Sequence, residues 1–191
     1  MKQTVTPKKA KYHHTEANAS IYNRLEDDGF RYQLIEGVLE MAPSPFAFHQ
    51  RILWELSAIF SEFLKSNPVG KFFFAPFDVE LNDHNIYQPD LLFVSNNRLN
   101  IITEKRVVGP PDLVIEILSK GTRKLDLTTK YRLYEESGVL EYWIVDPDNK
   151  SFSFYELKGG KYQEIVVGES YSSQVLKPLE MTPSDFWQTI G

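Results

Sequence analysis

Two apolar runs each carry a carboxylate where a hydrophobic residue would be expected: Gln88-Pro89-Asp90-Leu91-Leu92-Phe93-Val94 and Asp112-Leu113-Val114-Ile115-Glu116-Ile117-Leu118. Glu is seldom fully buried unless it is paired, and an isolated acid in such surroundings either costs several kcal/mol or takes up a proton. Both runs are short, β-rich and closed by Ser95 and Ser119, so they read as strands. In the second, Val114 and Leu118 share the face of Glu116, while Leu113, Ile115 and Ile117 line the other. A strand apolar on both faces is central in its sheet. Asp90 follows Pro89 at the front of its strand and shares a face with Leu92 and Val94. Taken singly, a Pro-Asp pair is more often a solvated strand entry, and Glu116 could be met by a structural arginine. On neighbouring strands the two acids can converge on one point, where a divalent cation relieves their repulsion. Oxygen-only ligands in a chain without Cys favour Mg²⁺ or Mn²⁺ over zinc.

Two further groups join them. On a helix expected at about 123–136, Leu127, Tyr131 and Tyr134 mark the inner face, and Lys130 borders it, three residues after Leu127 and four before Tyr134. Arg123 lies on the same side. A lysine beside an apolar stripe is commonly a snorkelling side chain, but this helix directly follows the Glu116 strand. His49 precedes Ile52 by three and Leu53 by four, within the apolar face of the strongest helix. A lone His there is usually a core residue satisfied by a hydrogen bond. Glu36 and Glu40, in an expected hairpin, are weaker candidates, because such carboxylates are mostly solvated. His13 and His14, in an expected arm, and His84, in a turn, carry no signal.

The elements that must position these groups follow from pattern. Residues 1–19 are polar and aperiodic and read as a flexible N-terminal arm, with one domain over 20–191. A short helix is expected at about 20–28, a hairpin at 31–41 turning at Glu36-Gly37, and a chain break at Pro43 and Pro45. At 47–66, Ile52, Leu53, Leu56, Ile59, Phe60, Phe63 and Leu64 recur at helical steps. Strands are expected at about 71–81, 86–94, 112–118 and 140–146, with a hairpin of 151–157 and 161–167 across Gly159-Gly160. A last helix begins near Thr182-Pro183-Ser184. The order implies an α/β (α+β) fold with a mixed central sheet flanked by helices.

At 191 residues, 42% hydrophobic and 25% charged, the chain fits one soluble globular domain. The absence of Cys excludes disulfides, Cys-ligated zinc, iron–sulfur clusters and thiol nucleophiles. No signal peptide and no membrane span are expected, which makes the cytoplasm the expected location. A net charge of −5 argues mildly against wholesale binding to a nucleic-acid backbone, although residues 120–132 hold five basic residues against Asp126 alone.

Over about residues 20–186, this order together with Pro89-Asp90 and Glu116 resembles the PD-(D/E)XK nuclease superfamily and its restriction-endonuclease-like core, αβββαβ with extra N-terminal and C-terminal hairpins. It is most similar to a bacterial restriction-endonuclease branch abundant in cyanobacteria. The stretches Tyr32 to Gly37, Pro43 to His49, Gln88 to Leu91, Pro111 to Ser119 and Tyr142 to Pro147 carry the likeness. The resemblance implies that Asp90 and Glu116 hold Mg²⁺. The superfamily places a lysine two residues after the Glu, where this chain has Leu118; the branch supplies it from the following helix, and Lys130 matches. His49 matches a position where the branch has His. Branch members carry Glu where this chain has Gln33, so Glu36 would have to serve at that hairpin. The implied activity is Mg²⁺-dependent hydrolysis of nucleic-acid phosphodiester bonds, with DNA the expected partner and a homodimer the expected assembly. The alternatives are a catalytically silent domain that binds nucleic acid or a partner, and a different phosphate-ester substrate.

Overall fold

The computed structural model describes residues 9–42 and 44–191; the predicted break at Pro43 lies outside them, as does the start of the predicted arm. Within that arm, β1 (Thr15–Glu16) pairs antiparallel with a later strand and Ala17 is buried. The helix predicted at 20–28 is one turn only, α1 (Ala19–Tyr22), capped by the Asn18 side chain accepting from Ile21 N–H. It ends at the C-cap Asn23, and further on the Asp27 and Asp28 side chains take the N–H groups of Gly29 and Phe30 into local turns that compete with helix. The predicted hairpin is β2 (Tyr32–Ile35) and β3 (Val38–Met41), joined through Glu36 and Gly37 at φ 50° and 81°, the left-handed pair of a tight hairpin turn. α2 (Ala47–Ser66) has the predicted bounds and buries Ile52, Leu53, Leu56 and Phe60.

The runs predicted as single strands at 71–81 and 86–94 are each two. The first divides into β4 (Gly70–Phe74) and β5 (Asp78–Asn82) across Pro76. The second divides into β6 (Asn85–Tyr87) and β7 (Leu91–Ser95) across Pro89. Proline has no N–H for a sheet ladder, so each ribbon leaves one sheet there and enters another. β8 (Arg106–Val108) and β9 (Leu113–Ile117) follow. After β9 the chain forms α3 (Arg123–Leu125), a π-helical turn at Asp126–Lys130 and α4 (Tyr131–Ser137). β10 (Glu141–Asp146), β11 (Ser151–Lys158) and β12 (Lys161–Glu164) come next, then the short β13 (Tyr171–Ser172) and β14 (Glu180–Met181), and finally α5 (Pro183–Ile190).

The central sheet has the order β12-β11-β10-β9-β7-β4 and the outer sheet β1-β3-β2-β6-β5-β8. In the central sheet β9 and β10 are parallel and the other pairings antiparallel, so it is mixed. A parallel pair needs a crossover, supplied here by α3, the π turn and α4. The alternation predicted for β9 holds. Leu113, Ile115 and Ile117 pack with Leu56, Phe60, Trp143 and Phe186 under α2 and α5, and Val114 and Leu118 pack with Leu133, Tyr134 and Tyr142 under α4. Gly70 allows β4 to approach β7 closely, since a Cβ there would meet the Val94 carbonyl oxygen at 2.3 Å. Among the described residues, no helix is long and apolar enough to cross a membrane.

Candidate active site

Asp90 stands one residue ahead of β7. The β7–β9 register pairs Leu91 with Ile115, and carried one residue back it sets Asp90 abreast of Glu116 on the same face. The Asp90 carboxylate accepts the Ile117 N–H at 2.8 Å through Oδ2, and the same oxygen lies 3.1 Å from His49 Nε2. The junction before it is held from the outer sheet. Gln88 N–H donates to Gln33 Oε1 at 3.0 Å, and the Gln88 side chain donates to Asp78 Oδ1 at 2.9 Å.

Glu116 is 3% exposed. Its Oε1 accepts from Lys130 Nζ at 2.8 Å and from Tyr134 OH at 3.0 Å. Lys130 is itself buried, and Nζ forms a second ion pair with Asp126 Oδ1 at 2.9 Å. Two buried acids, Glu116 and Asp126, thus hold a single ammonium, and Asp90 with its His49 partner stands abreast of Glu116. Burial, with the charges of Asp126 and Asp90, pushes the Glu116 carboxyl up to about 8 despite Lys130. Burial works against the Lys130 ammonium, but Asp126 and Glu116 outweigh it and raise its pKa. His49 is likewise raised: burial opposes the imidazolium, and the Asp90 hydrogen bond and charge overcome it. Its Nδ1 is buried with no hydrogen-bond partner.

Asp90, Glu116, Lys130 and His49 line one cavity of about 370 Å³, with Arg31, Gln33 and Lys120 among the other lining residues. The predicted quartet is therefore brought to one place. Glu36 does not line it; its Oε1 pairs with Arg132 at 2.5 Å on the half-exposed hairpin turn. One element of the helical reading is corrected. Leu127, assigned to the inner face, is 41% exposed, and the buried positions are Asp126, Lys130, Leu133 and Tyr134. The ion-paired Asp126 and Lys130 occupy the inner face and turn Leu127 outward. Arg123, placed on the inner side with it, pairs with Asp146 at 2.6 Å.

The family model described as "Uma2: Putative restriction endonuclease" matches residues 19–190. This chain belongs to the Uma2 family. Its fold is similar to the crystal structure of a "putative nuclease belonging to DUF820" from Anabaena variabilis ATCC 29413, with a TM-score of 0.75 and 18% identity, covering 91% of this chain and 99% of that one. No curated protein matches the chain.

Two members of this Uma2 site escaped the sequence reading. Asp126 was visible as the lone acid of a basic segment, four residues before Lys130, the spacing of a helical ion pair. Tyr134 was assigned to the apolar face, and nothing local announces that its hydroxyl reaches Glu116. The donor set suits a hard divalent ion: two carboxylates in a buried region whose acids outnumber its fixed cation. His49, Asp90 and Glu116 do not bring ligand atoms within 4.8 Å of one another all together. An ion held by the two acids would complete its shell with water or substrate oxygens, as Mg²⁺ commonly does.

Proposed function

We propose that this protein is a divalent-metal-dependent nuclease that hydrolyses phosphodiester bonds, with Mg²⁺ or Mn²⁺ as cofactor and DNA as substrate. The observation that carries the reading is the excess of buried acid over fixed cation, placed at a cavity open to substrate. Asp90 and Glu116 would hold the ion. When bound, such an ion lowers the pKa of a water and offsets charge on phosphoryl oxygens. Lys130, fixed by Asp126 and Glu116, presents a permanent positive charge where negative charge builds on the phosphoryl group. His49 is oriented by Asp90 and can position a phosphate oxygen or accept a proton at the cavity wall. Arg31 and Lys120 add cationic groups for the flanking backbone.

The test is nicking of supercoiled plasmid by purified protein with Mn²⁺ or Mg²⁺. Asp90→Asn and Glu116→Gln should abolish it, and either variant matching the parent overturns the assignment. The silent-binder reading draws on the net charge of −5 and on Oε1 of Glu116 being committed to Lys130 and Tyr134. It requires salt-sensitive DNA binding with no thermal response to either metal.

A further inference from the structure

The sequence reading gave His13 and His14 no role; the structure sets them around Glu40. Residues 11–14 form a turn, in which Thr15 N–H donates to the Tyr12 carbonyl at 3.1 Å. His14 ends it with a φ of 64°, in the left-handed region that non-glycine residues seldom enter. Both imidazoles fall on one side, stacked with centroids 3.7 Å apart. From β3, Glu40 places its carboxylate against both rings, Oε2 at 3.3 Å from His13 Nδ1 and Oε1 at 3.0 Å from His14 Nδ1. The backbone fixes the arrangement: His14 N–H donates to the Leu39 carbonyl at 2.7 Å, and β1 pairs with β3 immediately after. Met41 N–H donates to His13 Nδ1 at 3.2 Å. Among the described residues, this is the only group of three His, Asp or Glu whose ligand atoms all lie within 4.8 Å of one another.

Two imidazole nitrogens and one carboxylate oxygen form a donor set for zinc and other late first-row divalent ions, whereas Mg²⁺ takes oxygen. We propose that His13, His14 and Glu40 form a Zn²⁺-class metal site, separate from the nuclease cavity, with water as the fourth ligand. Binding draws the three groups in to bonds of about 2.0–2.2 Å. Their exposure permits that contraction, and His13 gives up the Met41 N–H when its Nδ1 turns to the ion. The bound ion fastens the segment before β1 to the β2–β3 hairpin.

The experiment is calorimetric titration of the full chain with Zn²⁺, repeated with Co²⁺, whose visible absorption reports tetrahedral nitrogen and oxygen ligation. One ion per chain should bind with a dissociation constant on the order of micromolar, weakened at least about tenfold by His14→Ala and by Glu40→Gln. His84→Ala and Asp90→Asn should leave the affinity unchanged, which separates this site from the cavity. Zn²⁺ should also slow tryptic cleavage after Lys11 in the parent but not in His14→Ala. All these positions are at least partly exposed, so circular dichroism confirms that the variants fold. Equal Zn²⁺ affinity in the parent and Glu40→Gln, a parent constant weaker than about 100 μM, or unchanged proteolysis each overturns the proposal.

Discussion

Lys130→Met keeps the volume of a buried side chain and removes its charge. In the parent, Nζ sits 2.8 Å from Glu116 Oε1 and 2.9 Å from Asp126 Oδ1, and these acids are 3% and 1% exposed. The variant leaves both carboxylates buried without their cation. Breaking a buried pair in this way costs about 3–5 kcal/mol. In a chain of 191 residues, where 1 kcal/mol corresponds to about 2–4 °C, that is a fall of about 6–20 °C in Tm at pH 7.5. The sign with pH is fixed. Lys130 is the group that lowers the Glu116 carboxyl, so its loss lifts that folded-state pKa further above the unfolded value. Stability is then fully present below the unfolded value, near 4, and is lost as pH rises. The deficit should therefore be large at pH 7.5 and much reduced at pH 5. Thermal unfolding by circular dichroism at the two pH values measures it, and Lys130→Met/Asp126→Asn should recover at least half. A single variant melting within about 2 °C of the parent at pH 7.5, or an equal deficit at both pH values, would refute the charge accounting of the site.

Glu116→Gln should flatten the pH dependence of stability. The parent carboxyl is raised from 4.5 to about 8, so metal-free parent should lose stability as pH rises across that window while the variant does not, as equilibrium unfolding in urea would show. Gln33→Ala removes the acceptor for the part-buried Gln88 N–H and should cost about 0.5–1.5 kcal/mol. Because that bond holds the residues leading to Asp90, plasmid nicking should fall further than the loss of folded protein explains. Gly70→Ala forces a methyl to within 2.3 Å of the Val94 carbonyl and should destabilise by about 1–3 kcal/mol, read as a lower denaturation midpoint with an unchanged slope.

The acids at the centre were legible because burial makes a carboxylate conspicuous among Val, Ile and Leu. The same alternation told which residues of β9 share a face with Glu116, though not which helix covers each face. The full length of α2 and the hairpin at Glu36-Gly37 were equally readable, since both rest on local pattern. The division of 71–81 and 86–94 was marked locally by Pro76 and Pro89, yet nothing near those prolines says that the ribbons change sheets; that depends on partners far along the chain. Leu127 lies outside the inner face because the buried Asp126–Lys130 ion pair, and not hydrophobicity, occupies that face. The grouping of His13 and His14 with Glu40 needs both a backbone turn and a strand pairing, and neither has a signature in single residues.

The two ribbons that change sheets do so side by side: Ala75 N–H donates to the Asp90 carbonyl at 3.1 Å, and Ala75, Gln88 and Asp90 all face the cavity. The cavity thus opens at a seam between two slabs, and Asp90 rides on the stitching. A slight rocking of one slab against the other would displace this acid before any residue of the Glu116 strand moved. Replacements well out on the peripheral slab should consequently retune turnover while leaving the fold intact, giving evolution a means of adjusting the chemistry remote from the reacting atoms.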